Sequence, residues 1–133
     1  MEMPQLQHTI LIVEDEVLIR MSSAAMLEDA GFHILEAGSG AEAVEMLLRH
    51  ADIDLMMTDV RLPGEMDGLD LVARVHRYHP HIRSIVVSGN ASAEDASNAG
   101  AIGFLSKPYL ADSLVRAVND LIQCNPAPLN HAA

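Results

Sequence analysis

Five times along this chain, a short apolar run gives way to a stretch with helical periodicity. The runs are residues 9–13 (TILIV), 32–37, 54–58 (DLMMT), 84–87 (SIVV) and 102–105. The first is β-branched, continuous and followed by charge. Strands buried on both faces have this composition. Parallel strands need long crossovers, and a helix is the usual one. Such crossovers are right-handed and lay helices on both faces of one sheet. The expected architecture is therefore α/β, with five parallel strands and five helices.

The intervening segments support this reading. In 17–30, Ile19, Met26, Leu27 and Ala30 share one helical face, and Gly31 is placed to end the helix. Ser39 and Glu42 have the spacing of a capping box, which starts a helix running to about 49 with Ala43, Val44 and Leu47 inward. Shorter helices are expected over 69–76 and 93–98, the second stopped by Gly100. The last, 110–122, sets Leu110, Leu114, Val118 and Leu121 on one face.

A chain of 133 residues, half of them apolar, suffices for one domain with an aliphatic core. Residues 1–7 and 124–133 read as tails around a domain at 8–123. The formal charge of −11 repels phosphate backbones and anionic lipid, so neither nucleic acid nor a membrane surface is an expected partner. The single cysteine, Cys124, cannot form an intramolecular disulfide. No apolar stretch approaches a bilayer span, and the N-terminus lacks the pattern of a secretory signal. A cytoplasmic location is expected.

In sheets of this kind, ligands bind beyond the carboxyl ends of the strands. The residues there are Glu14, Asp15 and Glu16 after the first run, Asp59 after the third, Ser88 after the fourth and Lys107 after the fifth. Taken singly, each has an ordinary explanation. An acidic pair caps helices, Ser-Gly makes turns, and Lys-Pro ends strands. Together they are chemically complementary. Carboxylates gathered in one crevice repel, and a hard cation such as Mg²⁺ relieves that repulsion. Lys107 adds a fixed positive charge. Phosphoryl transfer uses this combination, and a carboxylate such as Asp59 can be the nucleophile that forms an acyl phosphate. Ser88 can donate a hydrogen bond to a phosphoryl oxygen.

The segments ILIVEDE, MMTDVRLPGEMDG, VVSG and FLSKPY, in that order and spacing, resemble the receiver domains of two-component response regulators. The resemblance covers about residues 8–123. It implies a flavodoxin-like (βα)5 sandwich with strand order 2-1-3-4-5. It implies that Asp59 is the phosphoacceptor, that Asp15 and Asp59 ligate Mg²⁺ with the Arg61 backbone carbonyl, and that Glu14 acts through water. Ser88 and Phe104 match the two switch positions, and Lys107 matches the lysine that pairs with the acceptor. The Lys107–Pro108 peptide is expected to be cis. The phosphoryl donor would be a phosphohistidine on a histidine kinase or phosphotransfer protein. The output would pass to another protein or onward in a relay, from a stand-alone receiver that is a monomer or weak dimer. The loop 62–68 is one residue longer than the commonest family form. Arg61 and Asn90, two residues past Asp59 and Ser88, occupy positions that influence phosphoryl lifetime.

Other readings fit less of the sequence. A phosphohydrolase with an Asp nucleophile generally carries a second Asp two residues on, where this chain has Arg61. A phosphorylation-independent interaction module would not need Glu14, Asp15, Asp59, Ser88 and Lys107 together. His76, His79 and His81 could attract a transition metal, but Pro80 interrupts them and a solvated helix end explains them.

Overall fold

The computed structural model describes residues 7–91 and 93–123. Most of both expected tails, including Cys124, lies outside the described residues. The elements alternate as the sequence predicts: β1 (Thr9–Val13), α1 (Val17–Asp29), β2 (His33–Ala37), α2 (Gly40–Arg49), β3 (Ile53–Asp59), α3 (Gly68–Tyr78), β4 (Arg83–Ser88), α4 (Ala93–Ala99), β5 (Gly103–Ser106) and α5 (Ala111–Gln123). All strand pairs are parallel, and the order is β2-β1-β3-β4-β5. This is the flavodoxin-like arrangement.

Successive strand residues point to opposite faces, which divides the core in two. Leu11, Val13, Met56 and Val86 pack with Leu47, Leu71, Val72, Val75 and Ala96 from α2, α3 and α4. Ile10, Ile12, Leu55, Met57, Ile85 and Val87 pack with Ala24, Leu27, Leu114 and Val118 from α1 and α5. The largely buried β1, β3 and β4 thus explain the apolar runs there, whereas the edge strands β2 and β5 are partly exposed and carry His33, Glu36 and Gly103.

The inner faces of α1 and α5 differ from the periodic reading. Ala30 lies past the end of α1 and is exposed, while Ile19 and Met26 are only half-buried. The buried residues of α1 are Ser23, Ala24 and Leu27. Small side chains let α1 sit close to its neighbours, and the buried Ser23 hydroxyl is satisfied by Tyr109 Oη at 2.8 Å. Leu110 lies outside α5 and is 74% exposed, so the inward stripe of that helix begins at Leu114.

The caps also differ in detail. Ser39 Oγ accepts the Glu42 N–H at 3.1 Å, but the Glu42 carboxylate takes the Gly38 N–H and does not close the box. The reciprocal box is on α3, where Asp67 accepts from Asp70 N and Asp70 accepts from Asp67 N. At the far end of the sheet, Arg83 Nη1 donates to the carbonyls of Leu121 and Ile122, the last turn of α5. Hydrogen bonds to charged donors are worth about 1.5–3 kcal/mol. Arg83→Ala is expected to lower the unfolding free energy by about 1.5 kcal/mol in urea denaturation, since two α5 carbonyls lose their partner.

Candidate functional site

The carboxyl ends of β1, β3, β4 and β5 do converge. Past β1, the Glu14 N–H bonds the Ala37 carbonyl of β2 at 3.0 Å, which holds the chain in sheet geometry one residue beyond the strand. Glu14 is consequently only 5% exposed, although it is acidic, while Asp15 next to it is open to solvent. The third strand extends through Asp59, one residue further than its apolar run. The fifth strand delivers Lys107, whose N–H bonds the Ser88 carbonyl at 3.0 Å and ties the ends of β4 and β5 together. The Lys107–Pro108 peptide is cis, as expected.

Lys107 Nζ donates to Asp59 Oδ2 at 2.8 Å and to Glu14 Oε1 at 3.1 Å. One ammonium thus bridges two strand ends that lie 45 residues apart in sequence. Glu14, Asp15 and Asp59 each place a carboxylate oxygen within 4.8 Å of the others. Burial pushes the Glu14 carboxyl above the usual carboxylate value, and the Asp59 charge adds to this; the Glu16 N–H and Lys107 act the other way. Burial alone would lower the Lys107 pKa, but its hydrogen bonds to Asp59 and Glu14, with their charges, outweigh it and hold the ammonium above its ordinary value. The acceptor set is oxygen only, negatively charged and open on the Asp15 side. Those properties suit a hard divalent cation that keeps several waters, so the residues fit Mg²⁺.

Ser88 is nearly buried, and its Oγ accepts from the backbone N–H groups of Asn90 and Ala91 at 3.0 and 2.9 Å. These bonds use its lone pairs and leave its proton available to donate. Arg61 meets Asp59 through its backbone N–H, 3.4 Å from Oδ1. Its guanidinium Nη2 lies 3.1 Å from the Asn90 carboxamide oxygen when that amide is oriented to satisfy its neighbours. Asp15, Asp59, Arg61, Ser88, Asn90 and Lys107 all line one cleft of about 430 Å³. Phe104 is not on that cleft; it is half-buried against the core beneath α3 and α4.

Sequence reasoning missed three supports of the site. Gly68 opens α3 directly beneath the acceptor: a Cβ there would sit 1.9 Å from the Asp59 carbonyl oxygen. The signal was the Asp67-Gly68 pair, which can be read as an N-cap followed by a close backbone approach. Met66 carries the long loop over the start of α2, where it packs against Gly40. Arg20 is the third, and only its place on α1 hinted at a role.

The family model for the response regulator receiver domain matches residues 10–119. The chain belongs to this family of two-component signalling modules. It is 36% identical over 116 residues to the chemotaxis protein CheY of Bacillus subtilis, covering 84% of this chain and 95% of that one. It is 37% identical over 119 residues to the sensor kinase CckA of Brucella abortus, covering 86% of this chain but 12% of that one. Among solved structures, the CheY-like receiver of Methanospirillum hungatei superposes with a TM-score of 0.81 at 28% identity, over 88% of this chain and 94% of the other. The chain spans between 12% and 54% of the length of the first curated relatives it matches. Among the described residues, no helix is long and apolar enough to cross a membrane.

Proposed function

We propose that Asp59 accepts a phosphoryl group from a phosphohistidine, with Mg²⁺, and that the receiver changes its contact surface in response. The observation that carries this reading is the Lys107 ammonium held between Asp59 and Glu14 beside a three-carboxylate cluster. A lone ion pair would need no third carboxylate and no open cleft.

In this mechanism an Asp59 carboxylate oxygen attacks phosphorus in line with the phosphohistidine nitrogen. The new O–P bond forms as the P–N bond breaks, and the imidazole nitrogen keeps the electron pair. Asp15, Asp59 and the Arg61 carbonyl would hold Mg²⁺, with Glu14 acting through water, and the bound ion would neutralise charge on the phosphoryl oxygens. Lys107 exchanges one carboxylate partner for a phosphoryl oxygen. Ser88 donates its free hydroxyl proton to another. Moving Ser88 changes the space beside Phe104, and a second packing of the α4–β5–α5 face becomes favoured. The protein accepts the group on its own side chain and so is not a turnover enzyme. Arg61 and Asn90, in contact on the same cleft, bear on how readily water reaches the acyl phosphate.

The donor reaches the site over an apolar rim. Leu18 is 82% exposed on α1, with Val17 and Met21 exposed beside it. Leu18, Ile19, Met26, Pro108 and Tyr109 line a groove that runs up to Lys107. A helical donor presenting a phosphohistidine would bury this rim. Burial of one Leu is worth about 1.5–3 kcal/mol, roughly tenfold or more in affinity. Leu18→Glu is therefore expected to slow transfer from a phosphohistidine protein at least about tenfold. Labelling by acetyl phosphate, which needs no docking, should be unchanged. A Phos-tag gel reads both reactions. Equal loss with both donors would place the defect in the site and not in docking, and labelling by neither donor in the parent chain would leave an interaction module as the better reading.

A further inference from the structure

We infer that Arg20 is a positioning residue that sets the Mg²⁺ affinity of the site by fixing the Glu14–Asp15 peptide; the inference rests on the proposed metal-assisted function. The chain leaves β1 at Val13, and the Glu14 N–H is the last to join the sheet, at Ala37. The Glu14 carbonyl that follows belongs to the peptide that carries Asp15. Arg20 Nη1, reaching back from the first turns of α1, donates to this carbonyl at 2.8 Å. The same guanidinium donates through Nε to Glu36 Oε1 of β2 at 3.0 Å.

The two contacts are different in kind. Glu36 pairs in register with Ile12 of β1, so it is anchored in the sheet. Arg20 is largely buried, and its planar fork therefore relays the position of β2 to the loop bearing the cation ligands. The Arg20 N–H bonds the Glu16 carbonyl as the first main-chain hydrogen bond of α1, a contact that any residue at this position keeps, so what is particular to Arg20 is its guanidinium. Gly38 makes room: a Cβ there would meet Arg20 Nη1 at 3.2 Å. Without the guanidinium, the Glu14 carbonyl loses its side-chain partner, and the segment bearing Asp15 is held only by the Glu14 N–H to Ala37 and the Glu16 N–H to the Glu14 carboxylate. An exposed carboxylate such as Asp15 has no other side chain in the cluster to restrain it by hydrogen bonding among the described contacts. Groups that orient metal ligands typically change metal affinity by about 10–100-fold when removed.

The test is a Mg²⁺ titration of the thermal unfolding midpoint, which reads binding by linkage and needs no phosphorylation. Arg20→Met keeps the apolar stem and removes the donors. Its apparent Mg²⁺ dissociation constant is expected to rise by about tenfold. Arg20→Gln, which can still donate one hydrogen bond, should recover part of the loss. A purely structural role predicts a lower midpoint in EDTA with an unchanged dissociation constant, and that result overturns the inference. Should Arg20→Met fail to fold, Glu36→Gln keeps Arg20 and weakens only its anchor. A smaller rise of about threefold is then expected, and an unchanged constant overturns the inference equally. A parent chain with no Mg²⁺-dependent midpoint would instead remove the metal-assisted reading on which this one stands.

Discussion

Asp59→Asn is expected to abolish labelling by acetyl phosphate and by a phosphohistidine donor, while raising the unfolding midpoint of the metal-free protein. The first half follows from chemistry, because a carboxamide oxygen is a poor nucleophile and its acyl phosphate analogue does not form. The second half follows from electrostatics. At an effective dielectric constant of 20, each carboxylate within 4.8 Å of Asp59 repels it by at least about 3.5 kcal/mol, before solvent screening at the exposed Asp15. The Lys107 ammonium at 2.8 Å attracts it by about 6 kcal/mol. The charge therefore gains little net, and Asn keeps an oxygen to accept from Lys107. A stabilisation of about 1 kcal/mol, a few degrees, is expected in EDTA. Added Mg²⁺ should reverse the order, since the parent gains ligand-linked stability and the variant loses a metal ligand. Differential scanning fluorimetry with and without Mg²⁺ checks both signs. A variant less stable than the parent in EDTA would mean that the Lys107 pair dominates the cluster.

Gly68→Ala is expected to be the most damaging single methyl in the domain. Its Cβ would lie 1.9 Å from the Asp59 carbonyl oxygen and 2.8 Å from the Val60 Cα. Those are backbone atoms of the acceptor strand, not flexible side chains, so nothing nearby can swing away. Retreat of α3 is also blocked. The Gly68 N–H bonds the Val60 carbonyl at 2.7 Å, and the Asp67–Asp70 box fixes the first turn of the helix. Overpacking against an immobile backbone costs about 3 kcal/mol or more. The loss should appear in urea denaturation, and the surviving folded fraction should label slowly because Asp59 is displaced. Gly89→Ala is the control. It borders the same cleft, has no atom within 4 Å of the new methyl, and should change stability by less than about 0.5 kcal/mol. Similar losses in both variants would show that glycine flexibility, not the close approach beneath Asp59, is what matters.

The contrast between these positions shows what a sequence makes legible. Strands buried on both faces leave an unmistakable trace, and TILIV or SIVV could be little else. Their ends then locate Glu14, Asp15, Asp59, Ser88 and Lys107 through a general rule about α/β sheets, so most of the site could be read without coordinates. Contacts made by side chains that reach across elements leave no such trace. Nothing in the spacing of α1 marks Ser23 as the partner of Tyr109, 86 residues away. Leu110 looked like the first inward residue of α5, yet it lies in the turn before the helix and faces outward. The periodic rule places residues on a face but does not say where the helix begins. Glu42 was correctly spaced for a capping box, but Gly38 N–H competed for its carboxylate. Glu14 shows the same limit at the site itself. Its acidic character was obvious, but its burial depends on one main-chain bond to β2, and that burial shapes its titration.

Glu14 and Lys107 both titrate above their ordinary values, with opposite consequences for stability. The Glu14 pKa is raised in the folded protein, so the ionised form opposes folding; its contribution is least unfavourable at acid pH and grows as pH rises through the folded value. Lys107 is raised by its partners, so its contribution persists to alkaline pH and is lost only above its ordinary range.

Mass spectrometry of the intact chain after incubation with acetyl phosphate is the direct measurement. In Mg²⁺ it should reveal one added phosphoryl group, base-labile and confined to the peptide that contains Asp59; in EDTA it should reveal none. A phosphoryl group on a different residue, or equal labelling without the cation, would contradict the joining of these strand ends into a single metal-assisted acceptor.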